Sequence, residues 1–403
     1  MTDNKALHQA AKAQQDEFYT QLDDIENELK HYKSHFRGKK IFCNCDDPFE
    51  SNFFKYFAMN FNALGLAKLT ATCYRGSPIS GEQLLLFNDN DSQNTQVIKT
   101  PYCAQITELR DFNGDGRQDL LDIKYLLQNI PGSVRKLQGD GDFRSPECLE
   151  LLRDADIVVT NPPHSLLREY IAQLFEYDKK FLILGNINAV TYKEVFPLIM
   201  HNKMWIGISI HSGDRKFNVP DNYPLEAAGC GIDENGRKFI RVKGVRWLTN
   251  MAVSEHQEFI TMIENYSPDK FPKYDNYDAI EVSKVQDIPC DYDGVMGVPI
   301  TFLDKYNPEQ FEILGITTGR EEFAKEAWPT KRYINAVQHN PNGTTANGSK
   351  ANTRATIAIT NPSGIYYTAD NSDKKLQIVY ARILVRKISE RNKAYSIIHH
   401  GQE

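Results

Sequence analysis

The sequence predicts an α/β protein built on a mostly parallel sheet with helices on both faces. Three observations carry this. Short apolar runs recur at 39–43, 68–74, 156–160, 181–185 and 203–210. Segments with helical spacing of apolar residues separate several of them. The alternation of the two is the pattern of βαβ units, whose crossover helices cover the sheet on both sides.

The elements follow in order. After Thr20, the residues Leu22, Ile25, Leu29, Tyr32 and Phe36 form an i, i+3, i+7 stripe, the mark of an amphipathic helix. Residues 39–43 (KKIFC) read as a short buried strand, and 51–64 as a helix with the aromatic face Phe53, Phe54, Tyr56, Phe57 and Phe61. A second strand is expected at 68–74, then a less regular stretch to about residue 145. DIVVT (156–160) is a third strand, 165–177 a helix, 181–185 a fourth strand, 191–202 a helix and 203–210 a fifth strand. From about residue 213 the pattern becomes irregular, with short strands at 238–242 and 245–249 and proline-containing turns. Residues 338–353 (QHNPNGTTANGSKANT) have no apolar anchor and are expected to form a mobile polar loop. No internal repeat is present.

Composition bounds the class. The 41% hydrophobic and 25% charged fractions are those of an ordinary globular protein, not of a disordered or fibrous chain. No apolar run approaches membrane-spanning length and the N-terminal residues lack an apolar signal core, so a cytoplasmic protein without a membrane partner is expected. Seven scattered cysteines without a CxxC pair argue for reduced thiols rather than a disulfide framework or a zinc site. The net charge of −6 does not advertise a nucleic-acid partner, but its distribution is uneven. From Lys331 onward eleven basic residues stand against four acids, a net of +7 that leaves −13 for the remainder. Such a tail is expected to face phosphate.

The chemistry-bearing motif follows DIVVT. Asn161-Pro162-Pro163-His164 lies between a buried strand and a helix. Two prolines remove two N–H donors and stiffen the turn, aiming the Asn161 side chain and the Pro162 carbonyl in fixed directions. An exocyclic adenine amine is a poor nucleophile because its lone pair is delocalised into the ring. Two acceptors, one for each N–H, favour a pyramidal nitrogen whose localised lone pair attacks a sulfonium methyl in line. A base in such a pocket has left the duplex stack, so a flat side chain beside the acceptors is expected to stack on it. The same motif chemistry also permits methylation of an RNA adenine or a protein amide.

A second motif is separate. Residues 111–122 (DFNGDGRQDLLD) match a twelve-residue calcium loop with Asp111, Asn113, Asp115, Arg117 (through its carbonyl), Asp119 and Asp122 at the ligand positions and Gly116 at the sharp turn. A structural Ca²⁺ site is one reading; an Asx-turn-rich surface loop is the other.

The chain resembles the EcoRI family of adenine-specific DNA methyltransferases. The stretches that carry the resemblance are DEFYTQLDDIENELKHY (16–32), CNCDDPFESNFFKYF (43–57), GDGDFRSPE (139–147), DIVVTNPPHSLLREY (156–170), YKEVFPLI (192–199), KYDNYDAI (273–280) and DYDGVMGVPITFLDKYNPEQFE (291–312). The resemblance implies a Rossmann-like domain over 1–212, with an insertion at about 76–138, that binds S-adenosyl-L-methionine. It implies a target-recognition region over 213–403. Phe18, Tyr19 and Thr20 occupy the place of the N-terminal cofactor motif, and Asn44, Asp46, Asp47 and Pro48 follow the first strand, where such enzymes bind the cofactor. Asp142 and Phe143 look like the pair that holds the cofactor's adenine, Asp142 accepting its amino group and Phe143 contacting the ring. Asn161, Pro162, Pro163 and His164 form the catalytic set, and Phe217 is a candidate for the other face of the flipped base.

Three departures from the family pattern stand out. CNCDDP replaces the glycine-rich turn after the first strand, and the second strand ends without the acidic residue that would hold the ribose. His164 replaces the usual Phe, Tyr or Trp, which implies altered holding of the base; a catalytically impaired DNA-binding relative is the alternative. The partners implied are double-stranded DNA and a cognate restriction endonuclease, with the recognised motif and the oligomeric state left open.

Overall fold

The computed structural model describes residues 20–45, 47, 48, 51–73, 101–211, 213–219, 225, 229–318 and 323–388. The chain packs as two compact units, one of residues up to Ala189 with Met204–Val253, the other of Val190–Lys203 with the residues from Ser254. Its architecture is mixed α/β with several sheets.

In the first unit, helix α1 (Leu22–Leu29) continues through a 3-10 turn into α2 (Lys33–Phe36). The expected stripe is its buried face: Ile25, Leu29, Tyr32 and Phe36 are fully buried, each contributing roughly 1.5–3 kcal/mol. Strand β1 (Lys40–Cys43) follows, then α3 (Asn52–Met59) and α4 (Phe61–Leu64). Ser51 caps α3 by accepting from the backbone N–H groups of Phe53 and Phe54. A break at Asn60 divides what the sequence suggested as one helix, yet the whole aromatic face is buried.

Strand β2 (Lys68–Thr72) is followed, in the stretch expected to be less regular, by β3 (Tyr102–Ile106), α5 (Leu120–Asn129) and β4 (Val134–Lys136). Then come α6 (Pro146–Asp154), β5 (Ile157–Thr160), α7 (Leu167–Glu176) and β6 (Lys180–Asn186). The chain passes into the second unit, where it forms only one short helix, α8 (Phe196–Met200), and returns as β7 (Trp205–Ile206), both shorter than expected. Strands β8 (Asp214–Asn218), β9 (Cys230–Ile232), β10 (Lys238–Lys243) and β11 (Val245–Thr249) complete the unit. Strand β11 pairs with β6 over five positions, and both belong to the first unit.

The main sheet has eight strands in the order β4-β3-β2-β1-β5-β6-β11-β7. Strands β2, β1, β5 and β6 are parallel; the outer strands are added antiparallel. Alternate residues point to opposite faces. Ile41 and Cys43, Leu69 and Ala71, Ile157 and Val159, and Leu182 and Leu184 share one core with Ile25, Leu29, Phe36, Phe53 and Phe57 of the first helices. On the other face Cys103 packs with Cys148 and Leu151 of α6, and Phe181 meets Phe175 of α7 edge to face at 5.6 Å. Helices therefore cover both faces. None of the seven cysteines forms a disulfide.

The geometry of residues 111–122 supports the Asx-turn reading and gives no support to the calcium one. Asp111 accepts from the backbone of Gly114 and Gly116, and Asp115 from that of Arg117. Asp122 is buried, its oxygens taken by the backbone N–H groups of Phe112, Asn113 and Asp119. With Asp119 it forms a capping box at the start of α5. The oxygens that would surround a cation instead close Asx turns, and the described residues hold no group of three or more His, Cys, Asp or Glu arranged for a metal. Asn113, Arg117 and Asp119 serve the same turn.

The second unit is built on two sheets rather than on irregular chain. Strands β12 (Ile280–Glu281), β13 (Met296–Pro299) and β14 (Phe311–Ile316) join the last strand, β20 (Arg382–Lys387), in the order β12-β13-β20-β14. Between β14 and β20 the chain forms an antiparallel sheet of β15 (Val337–His339), β16 (Thr345–Asn347), β17 (Thr356–Ile359), β18 (Tyr366–Ala369) and β19 (Ser372–Ile378). The expected mobile loop at 338–353 is therefore ordered structure. Asn340-Pro341-Asn342-Gly343 turns a hairpin, with Gly343 at φ +81° and Asn340 N–H donating to the Thr344 carbonyl at 2.9 Å. The anchor is aromatic: the His339 ring stacks on Tyr366 of the neighbouring strand at 4.5 Å.

The positive tail is also partly spent inside this unit. Lys331 and Lys374 both pair with Asp275, Arg382 with the buried Glu281, Arg386 with Glu312 and Glu326, and Lys387 with Asp293. Among the described residues no helix is long and apolar enough to cross a membrane.

The loop geometry makes a prediction. Excess EDTA should leave the thermal midpoint within a degree of its value in metal-free buffer, whereas Asp122→Ala, which strips three backbone donors of their acceptor, should lower it by a few degrees. A chelator-induced fall in the midpoint would restore the calcium reading.

Candidate functional site

In a sheet of this kind, ligands bind outside the carboxyl ends of strands where the chain reverses direction. Here β2 lies on one side of β1 and β5 on the other, so the reversal falls between β1 and β5. The residues that leave those two strands are Asn44–Pro48 and Asn161–His164.

The residues on either side of the second segment bond to the first. The Thr160 hydroxyl donates to the Asn44 carbonyl, and the Tyr170 hydroxyl of α7 donates to Asn44 Oδ1. Asn44 is buried, as are Thr160, Asn161, Pro162 and Pro163; His164 is half-buried and opens a 3-10 turn that leads into α7. The proline pair thus forms a buried, stiff exit from β5. Asp47 is buried and accepts from the Tyr102 hydroxyl of β3 at 2.6 Å. Pro48 is buried beside it.

The missing glycine-rich turn has a structural counterpart. Cys45 takes the left-handed conformation, φ 68°, that glycine usually supplies after a first strand. A non-glycine residue holds that turn because Asn44 is gripped on its N-terminal side and Asp47 on its C-terminal side.

A third segment reaches the carboxyl end of β2. A Cβ at Gly141, φ +78°, would lie 2.2 Å from the Cys73 carbonyl oxygen and 3.0 Å from Pro101, so only glycine lets this turn come so close. The turn presents Asp142 and Phe143. Both oxygens of Asp142 accept from the Arg144 guanidinium, at 2.9 and 2.7 Å, and this pairing holds the carboxyl below the usual carboxylate range. Oδ1 also accepts from the Arg144 backbone N–H at 2.8 Å, so it is Oδ2 that keeps a second lone pair for another donor. Phe143 is buried, edge-on to Tyr170 at 5.0 Å, and its carbonyl accepts from Gln173 at 3.1 Å.

Thr20 joins from the N-terminal side. Its carbonyl accepts from Asn52 Nδ2 at 2.7 Å, at the start of α3, and its buried hydroxyl oxygen has no hydrogen-bond partner among the described residues. A buried hydroxyl without a partner and a carboxylate oxygen, Asp142 Oδ2, with a lone pair to spare are groups that a polar cofactor satisfies, so the residues present fit one. Phe18, Tyr19 and Asp46 lie outside the described residues.

Phe217 is placed differently from the expectation of a base-stacking ring. On β8 it is 1% exposed, opposite Ile240 and within the main core, so its faces are covered by protein. Thr160, Tyr170, Gln173, Tyr102 and Arg144 were missed by sequence reading. Arg144, adjacent to the Asp-Phe pair, is the one with a sequence signal; the others look like ordinary strand or helix residues.

Two outcomes follow. Gly141→Ala should cost about 1–3 kcal/mol from backbone strain, with the Cβ clash adding to it, read as a lowered thermal midpoint. The stability that the Arg144 pairing gives through Asp142 should be present above the unfolded carboxylate range near pH 4 and be lost as pH falls through the depressed folded value. Arg144→Met should remove that part of the acid titration of stability.

Comparison with known proteins gives the family. The family model described as "Adenine-specific methyltransferase EcoRI" matches residues 6–388. The chain is 48% identical over 321 residues to the Type II methyltransferase M.EcoRI of Escherichia coli, covering 79% of this chain and 91% of that protein. It is 36% identical over 312 residues to the Type II methyltransferase M.MgeORF184P of Mycoplasma genitalium, covering 76% and 85%. It is 35% identical over 312 residues to the Type II methyltransferase M.MpnI of Mycoplasma pneumoniae, covering 76% and 84%. No solved structure matches the chain. With nearly its whole length matched, the chain belongs to the EcoRI family of adenine-specific methyltransferases.

Proposed function

We propose that this protein is a DNA methyltransferase that transfers the methyl group of S-adenosylmethionine to the N6 nitrogen of an adenine flipped out of a short duplex motif. The observation that carries the proposal is the bonded pair of segments at the strand reversal: the Asn161–His164 turn and Asn44, joined through Thr160 and Tyr170. The order of the eight strands, with antiparallel β11 between β6 and β7, supports reading the sheet as Rossmann-like.

The roles follow from chemistry at named atoms. S-adenosylmethionine supplies an electrophilic methyl on a sulfonium. Thr20, Asn44, Asp47 and Pro48 line the place we assign to its methionine and ribose, and Asp142 and Phe143 the place of its adenine. Asn161 Oδ1 and the Pro162 carbonyl each accept one N–H of the target amine, which localises the nitrogen lone pair for attack on the methyl carbon. The N–CH3 bond would form as the S–CH3 bond breaks, the thioether S-adenosylhomocysteine leaving, and the nitrogen would shed one proton to water. The half-buried His164 ring stacks on the target base, more weakly than a phenyl ring. Burial of the proline pair keeps the two acceptors from turning toward water.

We assign DNA reading to the region after residue 212, where exposed Arg332, Lys350 and Lys375 stand outside the paired cations. The Type II names of the relatives support a place in a restriction–modification pair, with an endonuclease as the functional partner.

The test is methyl transfer from labelled cofactor to unmethylated DNA, followed by mapping of N6-methyladenine. The wild type should modify one short motif, and Asn161→Ala should lower the rate by at least about 100-fold. His164→Ala should cost roughly 5- to 150-fold, the worth of one base stack, and His164→Phe should recover the loss. Transfer to RNA or protein but not to duplex DNA would replace the substrate assignment.

A further inference from the structure

Helix α7 touches three segments of the site. It follows directly on the turn that His164 opens, where Leu166 N–H donates to the Pro163 carbonyl at 3.0 Å. Within its first two turns Glu169 pairs with Arg144 at 2.9 Å, Tyr170 donates to Asn44 Oδ1, and Gln173 donates to the Phe143 carbonyl. Tyr170 and Gln173 stand three residues apart, on one face of the helix. Tyr170 is fully buried, so its hydroxyl is costly unless bonded, and a phenylalanine would fill the same space without that cost. Its partner is a side chain of the turn after β1, not a carbonyl of its own helix.

We propose that Tyr170 is a positioning residue that couples occupancy of the cofactor site to occupancy of the target-base site. This rests on the assignment above of Asn44 and Phe143 to the cofactor. A base that settles against Asn161 and His164 bears on the first turn of α7. A helix moves as a rigid body over so short a length, so the displacement arrives at Asn44 through the Tyr170 hydroxyl and at Phe143 through the Tyr170 ring and Gln173. The coupling is reciprocal: whatever factor DNA gains from bound cofactor, the cofactor gains from bound DNA.

The experiment measures that factor. S-adenosylhomocysteine, which cannot react, is titrated calorimetrically into the full-length protein with and without a duplex carrying the mapped motif. In the wild type the duplex should tighten binding. In Tyr170→Phe the ratio of the two affinities should fall about fivefold, the equivalent of one neutral hydrogen bond, while the affinity without DNA moves less than about threefold. Gln173→Leu should lower the ratio as well, and serves if Tyr170→Phe does not fold. A hydroxyl that merely stabilises the fold would lower the thermal midpoint and leave the ratio intact. An unchanged ratio in both variants, or a wild-type ratio of one, overturns the proposal. Asn44→Ala and Phe143→Ala separate the two levels: if neither weakens S-adenosylhomocysteine binding, the cofactor assignment itself fails.

Discussion

The parallel pairing of β1 with β5 is the constraint on which the rest of the molecule depends. Ile41 sits beside Ile157 and Phe42 beside Val158, bringing together chain more than a hundred residues apart. Because side chains alternate across a strand, a slip of one residue would turn Ile41 and Cys43 away from the helical core and expose the opposite set to it. Both faces of these strands are buried, so the fit of each side-chain set to the helices it meets holds the register. That register in turn sets the Thr160 hydroxyl against the Asn44 carbonyl. The polar site is thus located by apolar packing a few residues away, and its own hydrogen bonds need only trim the fit.

Much of this was legible in the sequence, for identifiable reasons. The stripe from Ile25 to Phe36 and the aromatic face from Phe53 to Phe61 announce themselves by period, and each is buried. DIVVT followed by two prolines marks a strand and its end with equal clarity. Residues 101–136 were harder, because β3 and β4 are short, antiparallel additions at the edge of the sheet. Asn161 and Asn44 stand out in the sequence because their residue types suit the chemistry proposed at a strand end. Tyr170 does not, since an aromatic residue on the inner face of an amphipathic helix reads as core, and only the fold reveals that its hydroxyl meets Asn44.

Charge was the least transferable reading. The excess of cations after Lys331 is real in sequence, yet Asp275, Glu281, Glu312 and Glu326 from earlier in the chain meet many of them in the folded unit. A segment's net charge is a property of the segment; the field outside a protein depends on which charges the fold has already paired. The Asp275 side chain is 4% exposed and engaged by two lysines and the Tyr333 hydroxyl, so those cations serve to ionise a carboxylate held out of water.

The position of β20 has a consequence for how the second unit is made. Strands β13 and β14 do not pair with each other; each pairs with β20, which lies between them and comes after the whole five-stranded sheet in the chain. During synthesis the two earlier strands emerge with unpaired backbone edges that nothing nearby in sequence can satisfy. Those edges stay open to any passing strand until the last one is delivered. Closure of this unit is therefore a late, long-range event, slow relative to formation of local hairpins such as β15–β16. The nascent chain is most exposed to misassembly in the interval before β20 arrives.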